Sequence, residues 1–472
     1  MFLKEKYMKK HYALRKTVSF VTAILILLSV ALSLFSCQRE ATKEQLLENV
    51  AATVEKDRFE HDYVTLYLYD WNFPSFDTKK LSWVEQMFGR YYNLKEGMPQ
   101  TLDHAVKTAQ HFLDNYYDDI DRYDVTAVTD ALVTSYVDVI GDPYSVYRTP
   151  TEGDDYTQSL SGQFGGVGVT VEYDHTKKTV MIISVNENSP ASSVGLLAGD
   201  YIIGVDDKKI EDIGYDRIVD HIRGKVGTDV TVTVKRDDKE LSFTMTRATI
   251  EDRTVSYAIV DDGIGYIRIS GFNESTTGQF KAAVDAVEAA EVRGIVFDLR
   301  SNPGGLVDVV AAMLSYLLPT GKTVVSYQFK NMPLIEVKTQ DDGVDEKTNE
   351  PIDHKIDVPM AVICDEYTAS AAEIFTSVVR DYRGTEMPEA VIVGKTTYKK
   401  GIMQSSFKYE DDSIITITVA YYNPPSGVNY HGTGVVPDVE VSLPELKEGE
   451  TSVEDTQYKT AIEELKKLLD AN

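Results

Sequence analysis

The segment from Asp365 to Gln404 constrains the fold more than any other part of the chain. An apolar run, Met360–Cys364, is followed by a cluster of small residues at 368–372 and then by an amphipathic run. This pattern predicts a strand that delivers one small hydroxyl, that of Ser370, to the N-terminus of a helix. Backbone N–H groups at that end have no partner within the helix, and the helix dipole there favours developing negative charge. Ser370 is therefore a candidate nucleophile.

A serine hydroxyl needs a base to remove its proton at neutral pH. His354 and His431, the only histidines after residue 221, lie in loop-like segments rich in Gly, Pro and Asp. Lys395, Lys399 and Lys400 follow a strand-like segment and are better placed. A lysine is a base only when neutral, and lowering its pKa from about 10.4 to about 7 costs about 4 to 5 kcal/mol, which requires burial. Adjacent residues of an extended segment point to opposite faces, so we expect only one lysine of the 399–400 pair to enter the site.

Seven sequence blocks support this interpretation. In chain order they are G-D-P-Y-S-V-Y (141–147), S-G-Q-F-G-G-V-G-V (161–169), G-Y-I-R-I-S-G-F (265–272), D-L-R-S-N-P-G-G (298–305), T-A-S-A-A-E-I-F (368–375), Y-K-K-G-I-M-Q (398–404) and G-T-G-V-V-P-D-V-E-V (432–441). Together they resemble the carboxyl-terminal processing proteases, or tail-specific proteases, which are Ser–Lys peptidases with an embedded PDZ domain. Seven blocks in the family's order are far more specific than any single one. The resemblance implies a serine endopeptidase that binds substrate C-termini through its PDZ domain and needs no metal and no cofactor.

The resemblance also implies a set of catalytic residues. It makes Ser370 the nucleophile, Lys400 the base and Gln404 the residue that orients the base. Asp381 falls where some members carry an acidic residue that supports activity.

An oxyanion hole is predicted from the turn S-N-P-G-G at 301–305. Gly304 and Gly305 bring bare backbone amides to a strand-to-helix junction. With the N–H group of Ala371, they are the candidates for stabilising the tetrahedral oxyanion.

Five positions depart from the family pattern: Asp365, Tyr367, Thr368, Ala372 and Lys399. None of them belongs to the proposed Ser–Lys–Gln set. They leave open an alternative from another class, a catalytically inactive lipoprotein that binds peptides through its PDZ domain. An acyl-CoA hydratase-like activity on the same core fits poorly with a PDZ insertion and an export signal.

The first 36 residues have the pattern of a lipoprotein signal peptide. Six basic residues precede an apolar run, 18–35, and Leu34–Cys37 resembles a bacterial lipobox. Cys37 is then the lipidation site; a plain membrane anchor is the alternative. The expected location is the bacterial cell envelope, lipid-anchored and facing the periplasm or the exterior. With Cys37 lipidated, no disulfide is expected, and Cys364 is predicted to be a buried small hydrophobe.

Composition limits the partners. Removing residues 1–36 deletes six basic residues and one acidic residue, which changes the formal charge from -27 to -32. Nucleic acid is thereby excluded as a partner, because no basic stripe is present to neutralise phosphates. The expected partners are protein or peptide substrates with a free C-terminus and the membrane, while a homo-oligomer or an activating partner stays open.

The predicted fold class is a multidomain α/β protein. After the signal peptide (1–36), we expect a helical N-terminal region (42–150), a β-rich PDZ domain (162–250), a peptidase core (255–445) and a C-terminal helix (452–472). Strands and helices alternate from Val255 onward, which indicates an α/β core, and the resemblance implies the crotonase-like spiral shared with caseinolytic proteases. Residues 328–355 are polar and aperiodic and are interpreted as a surface excursion.

The PDZ prediction rests on a glycine-rich turn before a strand. The turn consists of Phe164, Gly165, Gly166, Val167 and Gly168. Its glycines allow successive N–H groups to face a peptide carboxylate, and the following strand offers an edge for an added β-strand. These five residues are the predicted peptide-binding set.

Overall fold

The computed structural model describes residues 74–94, 102–174, 178–215, 217–260, 263–340, 356–445 and 453–471. The expected signal peptide, Cys37 and His354 lie outside the described residues. Within these ranges the chain forms two compact units, one of residues 74–90 and 102–143 and one that comprises residues 91–94 and the described residues from 144 onward.

The first unit contains helices. They are α1 (Thr78–Tyr91), α2 (Leu102–Asn115) and α3 (Val125–Asp138). Asp124 caps α3 by accepting from the N–H groups of Thr126 and Ala127. Apolar side chains three or four positions apart are buried, and the rings of Phe88 and Tyr136 meet edge to face, 5.6 Å apart. The expected N-terminal helices are therefore confirmed.

The second unit begins with β1 (Val146–Arg148) and α4 (Pro150–Ser161), and a β-rich domain follows. Its elements are β2 (Gln163–Gly166), β3 (Val169–Asp174), β4 (Thr179–Val185), α5 (Pro190–Val194), β5 (Tyr201–Val205), β6 (Lys208–Lys209), α6 (Ile210–Ile213), α7 (Ile218–Ile222), β7 (Asp229–Arg236), β8 (Lys239–Thr246) and β9 (Ala248–Glu251). An antiparallel sheet has the order β3-β4-β5-β7-β8, so β3 lies at its edge, while β2 pairs with β9. Val180, Ile182 and Val232 are among the residues of its apolar core.

The α/β core follows. It comprises β10 (Val255–Val260), β11 (Ile264–Ile269), α8 (Thr276–Ala289), β12 (Gly294–Asp298), α9 (Val307–Leu314), β13 (Thr323–Phe329), β14 (Ile335–Lys338), β15 (Met360–Cys364), α10 (Ala371–Tyr382), β16 (Ala390–Gly394), β17 (Ile402–Lys408), β18 (Ile414–Asn423), β19 (Val439–Glu440) and α11 (Thr456–Ala471). The main sheet has the order β10-β11-β12-β15-β16-β19 and is parallel from β11 to β19. Strands β12 and β15 are buried at every residue, as expected for parallel strands covered on both faces. The mixed α/β fold class is confirmed.

A second core sheet has the order β1-β18-β13-β14, with β17 also paired to β18. The C-terminal helix α11 packs on the main sheet through Ala461 and Leu465. The first part of the predicted surface excursion is exposed at residues 331–336, as expected, but it has regular structure, because β13 and β14 form an antiparallel hairpin. Residues 341–355 lie outside the described residues. Of the helices that the structure describes, none has the length and hydropathy of a membrane span.

Candidate active site

Three loops meet where adjacent parallel strands of the main sheet end. They follow β12, β15 and β16 and comprise residues 299–306, 365–370 and 395–401. Hydrogen bonds join them: the Ala369 N–H donates to the Asn302 carbonyl at 2.9 Å, and the Tyr398 N–H donates to the Thr368 carbonyl at 2.9 Å. The carboxyl edge of a parallel sheet is where α/β proteins usually place their binding sites.

Ser370 is the residue immediately before α10, at the junction that the sequence predicts. Its backbone has φ 55° and ψ −117°, a region that residues with a side chain seldom occupy. Such strain persists only where the surrounding structure enforces it, and it clusters at functional sites. The Ser370 side chain is half-buried.

Glu373 connects the loop that ends at Ser370 to the loop after β16. Its side chain is fully buried. One carboxylate oxygen accepts from the N–H groups of Ser370 and Lys400, both at 2.9 Å, and the other accepts from the Lys399 N–H at 2.8 Å and the Thr397 hydroxyl at 2.5 Å. Burial raises the pKa of Glu373, although these hydrogen bonds act to lower it. Glu373 thus holds the backbones of Ser370 and Lys400 on a single oxygen atom.

The two lysines of the 399–400 pair have different environments. The ammonium group of Lys400 lies 4.9 Å from the centroid of the Tyr144 ring, and its side chain is half-buried. Lys399 is exposed and has φ 83°, so the expectation of an extended segment is wrong at this residue. Glycine adopts such a φ more easily than lysine does. Lys395 forms an exposed ion pair with Glu366 at 2.8 Å.

Gln404 and Asp381 are anchored by separate contacts. The Gln404 side-chain amide nitrogen donates to the Thr418 hydroxyl at 3.3 Å, next to a β-bulge that separates residues 403 and 404. Asp381 accepts from the Ser426 N–H at 2.9 Å and from Arg380 at 2.8 Å. Asp381 therefore supports the loop after β18.

The two glycines of the predicted oxyanion hole are not equivalent. The Gly304 N–H already donates to the Asn302 side-chain oxygen at 2.8 Å. Gly304 is buried against Ser370, since a Cβ added there would lie 2.8 Å from the Ser370 Cβ and 2.9 Å from the Ala371 nitrogen. Gly305 is exposed beside it. The N–H groups of Gly305 and Ala371 have no hydrogen-bond acceptor within the described chain and can face a ligand.

Three residues of the site were not selected from the sequence: Asn302, Glu373 and Tyr422. Glu373 had a readable signal, because S-A-A-E at 370–373 has the spacing of a capping box. The side chain of Asn302 is fully buried and donates to the Ile269 carbonyl at 2.9 Å. Tyr422 lies on β18, and only the folded structure brings its hydroxyl to the Lys400 carbonyl.

Two departures from the family pattern are integrated into the site. The Thr368 hydroxyl, fully buried, donates to the Leu299 carbonyl at 3.0 Å. Asp365 accepts from the Ser301 N–H at 3.0 Å, which ties the loop after β12 to the loop after β15. Thr368 and Asp365 therefore form hydrogen bonds that hold the loops together.

The predicted peptide-binding turn is largely a paired structure. Gly165 pairs with Thr249, and its carbonyl accepts from the Gly224 N–H at 3.0 Å. The Arg223 guanidinium lies 4.1 Å from the centroid of the Phe164 ring. The carbonyls of the last two residues of the turn, at 167 and 168, also accept backbone hydrogen bonds.

No group of three or more His, Cys, Asp or Glu side chains within the described ranges could hold a metal ion. Cys364 is fully buried at the end of β15, and burial raises the pKa of its thiol. Its prediction as a small buried hydrophobe is confirmed.

The chain is similar to known proteins over two segments. Residues 263–441 match the model of peptidase family S41, and residues 165–246 match a PDZ domain model. A probable CtpA-like serine protease of Staphylococcus haemolyticus is 32% identical over 346 residues, which are 73% of this chain and 65% of that protein. A protein of the same description from Staphylococcus epidermidis is 31% identical over 320 residues, 68% of this chain and 62% of that protein. The chain thus spans less than two thirds of the length of either relative.

Solved structures to which the chain is similar include the photosystem II D1 C-terminal processing protease. It is 24% identical, with a TM-score of 0.44, over 76% of this chain and 92% of that chain. A putative S41 protease of Bacteroides fragilis is 15% identical, with a TM-score of 0.47, over 82% of this chain and 97% of that chain.

Proposed function

The chain belongs to peptidase family S41, and from that premise we propose that it is a serine endopeptidase with Ser370 as nucleophile and Lys400 as general base. The observation that carries the proposal is the buried carboxylate of Glu373, which binds the N–H groups of both residues through one oxygen. A fixed main chain at nucleophile and base is what catalysis by proximity requires.

The reaction begins with proton transfer from the Ser370 hydroxyl to the neutral amine of Lys400, while Oγ forms a bond to the substrate carbonyl carbon. The N–H groups of Ala371 and Gly305 stabilise the oxyanion, and each such donor contributes about 3 to 4 kcal/mol. Lys400 then gives the proton to the leaving amine as the C–N bond breaks. Water hydrolyses the resulting acyl-enzyme, with Lys400 again accepting the proton.

Proton transfer requires the Lys400 Nζ within about 2.6 to 3.2 Å of the Ser370 Oγ. The Nζ lies 4.9 Å from the Tyr144 ring centroid, and because the Lys400 backbone is fixed, the side-chain torsions set the distance between Nζ and Oγ. Gln404 assists in this proposal. Its Nε2 donates to Thr418, which leaves the amide oxygen to accept from the ammonium group.

The PDZ domain is proposed to bind the C-terminus of an unfolded substrate. Strand β3 lies at the edge of its sheet and can pair with an added peptide strand. Val169 and Val171 on β3 and Val219 on α7 are partly exposed apolar side chains that pack on the same core. They favour substrates with an apolar C-terminus.

Anchoring at the membrane is part of the same proposal. A lipid on Cys37 would hold the enzyme on the bacterial cell envelope, facing the periplasm or the exterior. Labelling with a radioactive or azide-bearing fatty acid tests this, since a Cys37→Ser variant should carry no label.

The catalytic proposal is tested with an unfolded protein that has an apolar C-terminus. Ser370→Ala and Lys400→Ala should each abolish its hydrolysis, whereas Lys399→Ala, the matched control at the adjacent lysine, should leave the rate unchanged. Full activity in Lys400→Ala would refute the assignment of the base.

A further inference from the structure

Tyr422, on β18, is in contact with the loop that carries the proposed base. Its side chain is 1% exposed. Its hydroxyl donates to the Lys400 carbonyl at 2.5 Å, and its backbone N–H donates to the Gly401 carbonyl at 3.2 Å. The Asn429 side chain adds bonds to the carbonyls of Gly401 and Tyr422, at 2.9 and 2.6 Å. The segment after the base is thus joined to β18 at several points.

The main chain of Lys400 is held on both of its polar sides. Glu373 accepts from its N–H, and Tyr422 donates to its carbonyl. A lysine side chain has several rotatable bonds, so the place where it leaves the backbone decides which positions its ammonium group can reach. Hydrogen bonds at both the N–H group and the carbonyl fix the position of the Lys400 backbone better than either bond alone.

The same phenol is also next to the proposed nucleophile. Burial and the charge of Glu373 raise the pKa of Tyr422, while the neighbouring Ser370 hydroxyl acts to lower it. The phenol therefore stays protonated at neutral pH and remains a hydrogen-bond donor. A single side chain contacts both halves of the proposed Ser–Lys pair.

We propose that Tyr422 is a positioning residue for the peptidase: its hydroxyl sets the backbone of Lys400 and the resting place of the Ser370 hydroxyl relative to one another. This inference rests on the proposed function. It predicts that loss of one buried hydroxyl slows the chemical step without weakening the binding of substrate.

Tyr430 provides a matched control. It is 3% exposed, and its ring packs against that of Tyr422 at 5.9 Å between centroids. Its hydroxyl faces the Tyr422 phenol, and among the described residues it forms no hydrogen bond to the main chain of residues 395–401. Tyr430→Phe therefore removes an equally buried hydroxyl from the same cluster without removing a bond to the base loop.

The experiment compares Tyr422→Phe with Tyr430→Phe and the unsubstituted protein. Peptide hydrolysis gives kcat and KM. Thermal unfolding shows the temperature below which all three proteins are folded, and the rates are measured below that temperature. We expect Tyr422→Phe to lower kcat about 10- to 100-fold with KM within about twofold, because a lost hydrogen bond to the base loop misplaces reacting groups. Tyr430→Phe should stay within about twofold in both constants.

Two results overturn the inference: a kcat of Tyr422→Phe equal to that of Tyr430→Phe, or a loss confined to KM. Ser370→Ala, run in parallel, separates this from failure of the proposed function. If the unsubstituted protein is active and Ser370→Ala is not, the peptidase proposal holds, and only the role of Tyr422 is decided by the two phenylalanine variants. If Ser370→Ala keeps its activity, both proposals fail.

Discussion

Glu373→Gln and Glu373→Ala test the hydrogen bonds by which Glu373 links Ser370, the proposed nucleophile, to Lys400, the proposed base. The carboxylate accepts four hydrogen bonds, two on each oxygen. Glutamine has nearly the same shape but keeps only one acceptor oxygen and places two N–H donors where the other oxygen was. Alanine removes every acceptor at once. The two variants therefore differ in the number of hydrogen bonds that they remove, and this number can be counted from the structure.

The amide of Glu373→Gln has two orientations with unequal costs. With its oxygen toward Ser370 and Lys400, the new amide N–H can donate to the Thr397 hydroxyl oxygen. The Lys399 N–H and the Thr397 O–H then lose the carboxylate oxygen as acceptor, but one new hydrogen bond forms. The opposite orientation leaves the N–H groups of both Ser370 and Lys400 facing a donor. One buried donor without a partner costs about 1 to 3 kcal/mol, so the first orientation should win. The free energy of unfolding should then fall by about that amount.

The alanine variant leaves three backbone N–H groups and one hydroxyl without an acceptor. Its free energy of unfolding should fall by about 3 to 5 kcal/mol. A displacement of about 1 Å between nucleophile and base can cost about 100-fold in rate. We therefore expect kcat to fall about 10-fold in Glu373→Gln and more than about 100-fold in Glu373→Ala.

The assays are urea unfolding followed by circular dichroism, and peptide hydrolysis at saturating substrate. Glu366→Gln is the matched control, because that carboxylate forms an exposed pair with Lys395. Its effect should stay within about 0.5 kcal/mol, with kcat unchanged. Wild-type kcat in a folded Glu373→Ala protein would refute the reasoning, and so would equal losses in the two Glu373 variants.

Three further predictions concern the loops around Glu373. Lys399→Gly should raise the free energy of unfolding by about 1 kcal/mol in urea titrations, without loss of activity, because φ is 83° there. Gly304→Ala should abolish hydrolysis and leave the proposed binding of peptide by the PDZ domain unchanged, since the new Cβ would lie 2.8 Å from that of Ser370; an active variant would show that the loop is not in the site. Asp298→Asn should destabilise the protein at pH 7, and this effect should disappear as the pH falls. Burial acts to raise the Asp298 pKa, but Arg300 holds the pKa below its ordinary value. The stability that the carboxylate contributes is therefore present above its unfolded pKa of about 3.9 and is lost as the pH drops through its folded pKa. A difference from wild type that grows on acidification would contradict this sign.

The sequence predicts what depends on local pattern. The apolar run at β15, the small residues after it and the amphipathic run that follows describe a strand, a turn and a helix, and the structure has all three around Ser370. The alternation from β11 to α10 likewise predicts a parallel sheet, because only crossover helices can connect such strands. Long, strongly patterned elements need no information from distant parts of the chain.

What the sequence misses depends on contacts between distant loops. The Gly304 N–H and the Gly305 N–H look equivalent in S-N-P-G-G, and only the Asn302 side chain separates their roles. Lys399 looks like part of a strand because neighbouring residues favour one. Its positive φ follows from Glu373, which binds the N–H groups of both Lys399 and Lys400 and so forces the chain to turn.

That turn gives a physical reason for the order of residues at the base. Two consecutive N–H groups can converge on one carboxylate only if the backbone between them leaves the extended conformation, in which successive groups point to opposite sides. A glycine adopts the required φ without strain, whereas Lys399 adopts it at a cost of about 1 kcal/mol. The four hydrogen bonds to Glu373 exceed that cost, and the strain at Ser370 is held by the same carboxylate through its N–H. The positive φ angles at Ser370 and Lys399 therefore both occur at residues whose N–H groups bind the buried carboxylate of Glu373.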